Sequence, residues 1–134
     1  MIVDASVIVE LVNNIENYRK LREKLISGDL SLKIPETVKN EVYESLSKTE
    51  REYFDKLLPL VAQFLDYITV PLTPSLLSKA AEISRKFEVS VSTASCVALS
   101  ITSGEIYVTA DQSIVRKLKK EYPVLHLEEI HFFR

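Results

Sequence analysis

The sequence of 134 residues is poor in glycine, cysteine and histidine. Its two glycines, Gly28 and Gly104, are too few to build a Gly-rich phosphate loop such as GxGxxG or a Walker motif. The single cysteine, Cys96, excludes an internal disulfide and a Cys-based zinc cluster, and we expect it to be a small buried hydrophobe. The two histidines, His126 and His131, lack obvious partners for a metal site or a Ser-His-Asp triad.

The sequence also lacks an excess of charge of either sign. It has 17 Lys and Arg against 19 Asp and Glu, a formal net charge of −2, which argues against a protein that grips nucleic acid by overall positive charge. The longest charge-free run, residues 89–104, is too short and too rich in Ser and Thr to span a bilayer, and no segment resembles a signal peptide. With 46% hydrophobic residues, we expect one packed domain over residues 1–134, cytoplasmic and without a membrane partner.

Short apolar runs alternate with helical patterns along the chain. The apolar runs predict five strands, at residues 1–3, 30–34, 67–70, 105–109 and 124–127. The apolar periodicity and end signals predict helices at residues 6–12, 15–27, 35–47, 50–65, 74–87, from a cap at Ser92 or Thr93 to Gly104, and at 112–121. Thr49 and Glu52 form a capping-box signature for the fourth of these, which Pro59 should kink or interrupt. This alternation favours an α/β fold, a three-layer α/β/α sandwich with a mainly parallel sheet.

Three acids occupy positions where such folds bind ligands. Asp4 closes the first strand and Asp111 follows the fourth, and ligands bind beyond the carboxyl ends of parallel strands. Glu41 borders the inward face of the helix after the second strand. Carboxylates brought together in a cleft repel one another and need a proton, a base or a cation. Oxygen ligands without His or Cys favour Mg²⁺ or Mn²⁺, ions that activate water for phosphodiester cleavage.

The ordered set of motifs resembles the PIN-domain family, including the VapC-type toxin ribonucleases. The matching segments are IVDASVI at 2–8, IPETVKNEV at 34–42, TASCVAL at 93–99 and VTAD at 108–111. The resemblance implies a parallel five-stranded sheet sandwiched by helices. It implies Asp4, Glu41 and Asp111 as catalytic, metal-binding acids, with Ser6 and Thr109 as supporting polar groups. It also implies a Mg²⁺- or Mn²⁺-dependent endoribonuclease that acts on RNA, is held by an antitoxin protein and forms a homodimer.

One position departs from the family's pattern. The family usually has an aspartate immediately before the alanine of the third motif, and this chain has Thr93 there. A threonine hydroxyl can support a metal-bound water but brings no charge, so the missing carboxylate should weaken metal binding. Glu88 is the nearest upstream acid. The departure keeps a second hypothesis open: a weakened or inactive PIN fold that binds RNA or protein.

Each candidate residue also has a purely structural interpretation. Asp4 and Asp111 are typical helix N-caps, Glu41 is a typical solvated helix residue, and an unrelated α/β domain with capping acids stays a third hypothesis. A basic run follows Asp111 and is either a solvated face or a set of RNA phosphate contacts: Arg116, Lys117, Lys119 and Lys120. The helix predicted at 50–65 is more apolar than a small core needs. Core packing is the favoured use, and a groove for an antitoxin peptide or a dimer partner is the alternative.

Overall fold

Five short strands and seven α-helices alternate along residues 1–48 and 51–130, which a computed structural model describes apart from the side chains of residues 51, 53 and 54. The strands are β1 (Ile2–Val3), β2 (Ile34–Pro35), β3 (Thr69–Val70), β4 (Tyr107–Thr109) and β5 (Val124–His126). The helices are α1 (Ala5–Asn13), α2 (Arg19–Ser27), α3 (Glu36–Leu46), α4 (Arg51–Ile68), α5 (Pro74–Phe87), α6 (Val91–Ser103) and α7 (Gln112–Leu118). The α/β class is thereby confirmed, whereas the three-layer order stays a prediction.

The strands pair in parallel, but the prediction of one five-stranded sheet is wrong. β1, β4 and β5 form a three-stranded sheet in the order β1-β4-β5, and β2 pairs with β3 in a two-stranded sheet. A single parallel bridge between Ile2 and Lys33 lies between the two sheets. β2 has only two residues, and its Pro35 has no N–H to donate to a neighbouring strand. So short a strand cannot supply the ladder of hydrogen bonds that would merge the sheets.

The helix-ending signals are confirmed at both glycines. Gly28 ends α2 at a φ of 82° and Gly104 ends α6 at a φ of 67°, the left-handed region in which glycine pays no Cβ penalty. The predicted cap of α6 at Ser92 or Thr93 is wrong. Ser90 caps this helix instead, and its Oγ accepts the Thr93 backbone N–H at 3.0 Å.

Several other helix and strand boundaries differ from the predicted ones, because some helices extend further than the sequence suggested and others end earlier. α4 runs through Pro59 to Ile68, so the predicted strand at 67–70 is reduced to two residues. The predicted helix at 15–27 begins as a 3-10 turn, Ile15–Tyr18, and becomes α-helical at Arg19. Of the predicted strand at 30–34 only Ile34 pairs in β2, and α7 ends at Leu118. The predicted helix start at Thr49 and Glu50 lies outside the described residues.

The core is built around the strands and α6. Ile2, Val3, Tyr107 and Val108 are fully buried, and every residue of the stretch 93–100 of α6, including Cys96, is buried or nearly so. The charge-free helix is therefore a core helix over this stretch. Because α6 is followed by a strand parallel to β1, its N-terminus lies near the carboxyl ends of β1 and β4. Among the described residues, no helix has the length and apolar character needed to cross a membrane.

Candidate active site

The fold brings the three predicted acids to one cleft. Asp4 directly follows β1, Asp111 lies two residues beyond β4, and Glu41 is on α3. Since β1 and β4 are parallel neighbours, their carboxyl ends lie side by side. All three acids line a cleft of about 390 Å³, which we call the acidic cleft. Its other polar lining residues are a fourth acid, one lysine and five hydroxyl residues: Glu88, Lys117, Ser6, Ser90, Ser92, Thr93 and Ser113.

Asp4 is the most buried acid of the cleft, with 8% of its surface exposed. Its Oδ1 caps α1 by accepting the Ser6 backbone N–H at 3.1 Å and the Ser6 hydroxyl at 2.5 Å. Its Oδ2 accepts the hydroxyl of Tyr107 at 2.5 Å. Burial raises the pKa of Tyr107 well above its usual value, so the phenol stays protonated and acts as a hydrogen-bond donor to Asp4. Asp4 is thus an N-cap and a cleft residue at once, and its orientation is fixed from both oxygens.

Two hydroxyls connect the turns that carry Asp4 and Asp111. The Ser6 Oγ accepts the Ala110 backbone N–H at 2.9 Å and lies 3.4 Å from the Thr109 Oγ1. The Thr109 Oγ1 in turn accepts the Asp111 backbone N–H at 3.1 Å. Ser6 and Thr109 therefore lie between the turns of the first and the last acid, and their supporting role stays a prediction.

Asp111 and Glu41 are exposed acids at the rim of the cleft. The Oδ1 of Asp111 caps α7, accepting the Ser113 backbone N–H at 2.9 Å and the Ser113 hydroxyl at 2.6 Å. The hydrogen bond from the Ser113 hydroxyl lowers the pKa of Asp111 below its ordinary value and so favours the ionised carboxylate. Glu41 accepts a hydrogen bond from the Ser92 hydroxyl, and this bond joins α3 to the first turn of α6. Ser92, predicted only as a cap, is therefore a partner of a cleft acid.

Thr93 lines the cleft beside these acids but is nearly buried, with 9% of its surface exposed. Its hydroxyl accepts a hydrogen bond from the Ser90 Oγ at 3.0 Å, within the capping turn of α6. The position therefore contributes a hydroxyl at the cleft wall, and the negative charge of the family's usual aspartate is missing there.

The basic run does not form one surface. Lys117 lines the acidic cleft, and its Nζ donates to the backbone oxygen of Glu88 at 3.0 Å. Lys119 points elsewhere, with its Nζ 3.5 Å from a carboxylate oxygen of Glu129. Arg116 and Lys120 are exposed outside the lining of the cleft. Of the four predicted RNA contacts, Lys117 is the one that lines the acidic cleft, and the charge of Arg116 also lowers the pKa of Asp111 from outside that lining.

The chemistry of the acidic cleft suits a hard divalent cation. Four carboxylates and one ammonium line it, so its formal charge is about −3, and oxygen is the donor atom that Mg²⁺ and Mn²⁺ prefer. Within residues 1–48 and 51–130, no three acids, histidines or cysteines are grouped closely enough to hold one ion together. An ion in the cleft would therefore bind some of these carboxylates through water. Mg²⁺ readily does this, because it usually keeps several of its waters, so the residues fit such an ion.

Comparisons with known proteins bear on the fold and on the family of this chain. The crystal structure of PAE2754 from Pyrobaculum aerophilum is similar, with a TM-score of 0.64 over 96% of this chain and 91% of that chain, at 20% sequence identity. At this identity the likeness shows the fold alone. No curated protein matches the sequence. The family model described as PIN domain matches residues 1–120, most of the chain and all four motifs. The chain therefore belongs to the PIN domain family.

Proposed function

We propose that this protein is an endoribonuclease that hydrolyses RNA phosphodiesters with a Mg²⁺ or Mn²⁺ ion held by Asp4, Glu41 and Asp111. PIN domains are generally nucleases and usually depend on divalent metal ions. The observation that carries the proposal is the convergence of these three acids, from three distant segments of the chain, on one cleft. An unrelated domain whose acids serve only as caps would have no reason to bring them together.

Each cleft residue has a separate task in this proposal. A bound ion supplies positive charge to the phosphate and lowers the pKa of a water molecule. Asp4, fixed by Tyr107 and by the turn of α1, offers a rigid carboxylate at the base of the cleft. Asp111 and Glu41 add negative charge at the rim, where the entering phosphodiester must also pass. The ammonium of Lys117 attracts the phosphate and positions the RNA without reading its sequence.

The test is cleavage of single-stranded RNA by the full chain with increasing Mn²⁺. We expect metal-dependent cleavage by the wild type and loss of at least about 100-fold in Asp4→Asn, since a metal-holding charge is removed. Asparagine is itself a good N-cap, so α1 should stay formed, and a thermal melt verifies this. Glu82→Gln, an exposed acid of α5 outside the cleft, is the matched control. Wild-type cleavage no greater than that of Asp4→Asn would refute the proposal.

A second candidate function is an inactive PIN fold that binds RNA or protein. It is favoured by Thr93, which leaves the family's usual third-motif carboxylate out, and by the wide spacing of the acids. In this case RNA binding, measured by fluorescence polarisation, should be the same with Mn²⁺ and with EDTA and should survive Asp4→Asn. The enzyme hypothesis instead expects Thr93→Asp to raise Mn²⁺ affinity and cleavage.

The toxin role and its partners are also proposals. An apolar groove between α1, α2 and α4 supports an antitoxin partner, and we propose that an apolar helical segment of such a protein binds there. Its main lining residues are Ile8, Leu11, Leu25, Leu57, Leu60 and Phe64. Leu60 is 67% exposed, so Leu60→Glu should abolish binding of the partner and leave the proposed homodimer intact in light scattering. Loss of a dimer in this variant would show that a second copy occupies the groove. The cytoplasmic location stays a prediction.

A further inference from the structure

The substitution at position 93 leaves the acidic cleft one carboxylate short of the family's usual pattern. Thr93 cannot substitute for that charge because its hydroxyl is neutral, and this hydroxyl is already bonded to Ser90. A cleft that binds a divalent ion with fewer carboxylates binds it less tightly, because each unit of negative charge contributes Coulomb energy. Another acid that reaches the same cleft would restore the balance.

Glu88 is such an acid. It is the first residue after α5, in the three-residue connection that leads to α6, and it lines the same cleft as Asp4, Glu41 and Asp111. With Glu88 included, the cleft has four acids, the same number that Asp4, Glu41, Asp111 and an aspartate at position 93 would give without Glu88.

The backbone at Glu88 is held in place from the opposite side of the cleft. Its carbonyl oxygen accepts a hydrogen bond from the Lys117 Nζ at 3.0 Å, and Lys117 lies on α7, the helix that Asp111 caps. The bond ties the connection before α6 to the helix of the last acid. Glu88 and Asp111 consequently keep a fixed relation across the cleft.

Local structure alone gives no reason for a glutamate here. Glu88 has a φ of 55° and a ψ of 47°, and it is the one non-glycine residue with positive φ in residues 1–48 and 51–130. It also places a negative charge at the C-terminus of α5, where the helix dipole disfavours it. Lys86, the nearest basic residue of this turn, lies 3.6 Å from Glu121 instead. Glycine would fit the left-handed backbone better and would bring no negative charge to the end of α5. The presence of a glutamate here therefore points to a use of its carboxylate in the cleft.

We propose that Glu88 replaces the missing third-motif aspartate and is the fourth acid that holds the divalent ion, directly or through water. The proposal rests on the proposed function, because it needs an ion in the acidic cleft. In this proposal the fourth negative charge of the site comes from the end of α5 rather than from the first turns of α6.

A double-mutant cycle on Mn²⁺ affinity tests the proposal. Affinity is measured on the full chain from the electron paramagnetic resonance signal of free Mn²⁺, for the wild type, Glu88→Gln, Thr93→Asp and the double variant. We expect Glu88→Gln to weaken Mn²⁺ binding roughly tenfold, the scale of a lost supporting carboxylate. In the Thr93→Asp background, the same change should weaken binding no more than about twofold, because Asp at 93 already supplies the charge. Glu82→Gln, on α5 but outside the cleft, should leave the affinity unchanged.

Two results would overturn the proposal: no loss of affinity in Glu88→Gln, or an equal loss with Thr and with Asp at position 93. The second would mean that Glu88 acts only as a general negative charge. Asp4→Asn, measured in parallel, separates this failure from that of the proposed function. If Asp4→Asn binds Mn²⁺ as the wild type does, or if the wild type binds none, the acidic cleft is not a metal site and both proposals fail.

Discussion

Asp4 shows how one residue satisfies a structural and a functional interpretation together. Its Oδ1 caps α1, and its Oδ2 accepts the Tyr107 hydroxyl from the neighbouring strand. The capping role fixes the carboxylate relative to α1, and the tyrosine fixes it relative to β4. A side chain held from two elements loses little further entropy when a ligand binds, which is the preorganisation that a metal or phosphate site requires.

Tyr107→Phe should therefore weaken both the fold and the site. The change removes the donor to Asp4 and keeps the buried ring, so we expect a loss of about 1 kcal/mol in the free energy of unfolding, measured by urea denaturation. Mn²⁺-dependent cleavage should fall roughly tenfold or more, as it does when the partner of a metal ligand is removed. Tyr67→Phe, at a position 88% exposed, is the control. Equal behaviour of the two variants would contradict this role of Tyr107.

Glu88 should show the opposite relation between stability and function. Glu88→Gly relieves the left-handed backbone and removes the charge from the end of α5, so we expect a gain of about 1 kcal/mol in stability with weaker Mn²⁺ binding. The reciprocal control is Gly104→Ala, at a φ of 67° with open space around it. Its added Cβ disfavours the left-handed backbone, so this variant should lose about 1 kcal/mol in the free energy of unfolding. A less stable Glu88→Gly variant would mean that the glutamate side chain stabilises the fold itself.

The sequence could predict three cleft acids because each is attached to a local signal. Asp4 and Asp111 come after apolar strand runs, and Glu41 follows the IPETVKN segment, so motif order was enough. Glu88 has no such signal. Its place in the cleft depends on the left-handed turn that ends α5 and on the packing of α5 against α6, and neither can be read from one sequence. Ser92 was missed as the partner of Glu41 for a similar reason, because the two residues lie on different helices.

At the level of elements, the helices and their ends were easier to predict from the sequence than the strands were. The charge-free α6 is buried over residues 93–100, and Gly28 and Gly104 end helices because glycine avoids the steric cost of positive φ. The strands were harder, since runs of two or three pairing residues are too short to carry a period. Whether such strands join into one sheet depends on Pro35 and on a single bridge at Lys33, which are tertiary details.

The capping turn of α6 gives a prediction at this scale. Ser90→Ala removes the side-chain acceptor of the Thr93 N–H, so we expect a loss of about 1 kcal/mol in the free energy of unfolding. Ser92→Ala, at the position that the sequence suggested as the cap, should lose less stability because Ser92 bonds to Glu41 rather than to the helix backbone. Urea denaturation of both variants makes the comparison, and a larger loss for Ser92→Ala would contradict the assignment of the cap.

For the whole molecule, the net charge of −2 conceals an uneven distribution. Without the three proposed metal ligands the chain would carry a formal charge of +1, so the excess acidity lies largely in one cleft. A near-neutral protein does not attract RNA by its overall charge. A divalent ion would offset most of the negative charge of the cleft and give a phosphate a positive centre to bind there. Added salt should accordingly affect RNA binding less than removal of the divalent ion does.

A second set of charges, at the opposite ends of the strands, links the two sheets and makes the stability of the whole molecule depend on pH. Burial alone would raise the pKa of Glu105, but hydrogen bonds from Lys33 and from the amino group of Met1, both at 2.7 Å, lower it to about 2. An unfolded glutamate titrates near 4.5, so the stabilisation is complete above that pH and disappears as the pH falls toward 2.

Glu105→Gln should lose on the order of 2 kcal/mol in the free energy of unfolding, measured with urea at pH 7, and its difference from the wild type should shrink between pH 4.5 and pH 2.5. Glu23→Gln, which breaks the exposed pair with Arg19, should cost little at any pH. A difference for Glu105→Gln that stays constant with pH would show that its charge does not hold the sheets together.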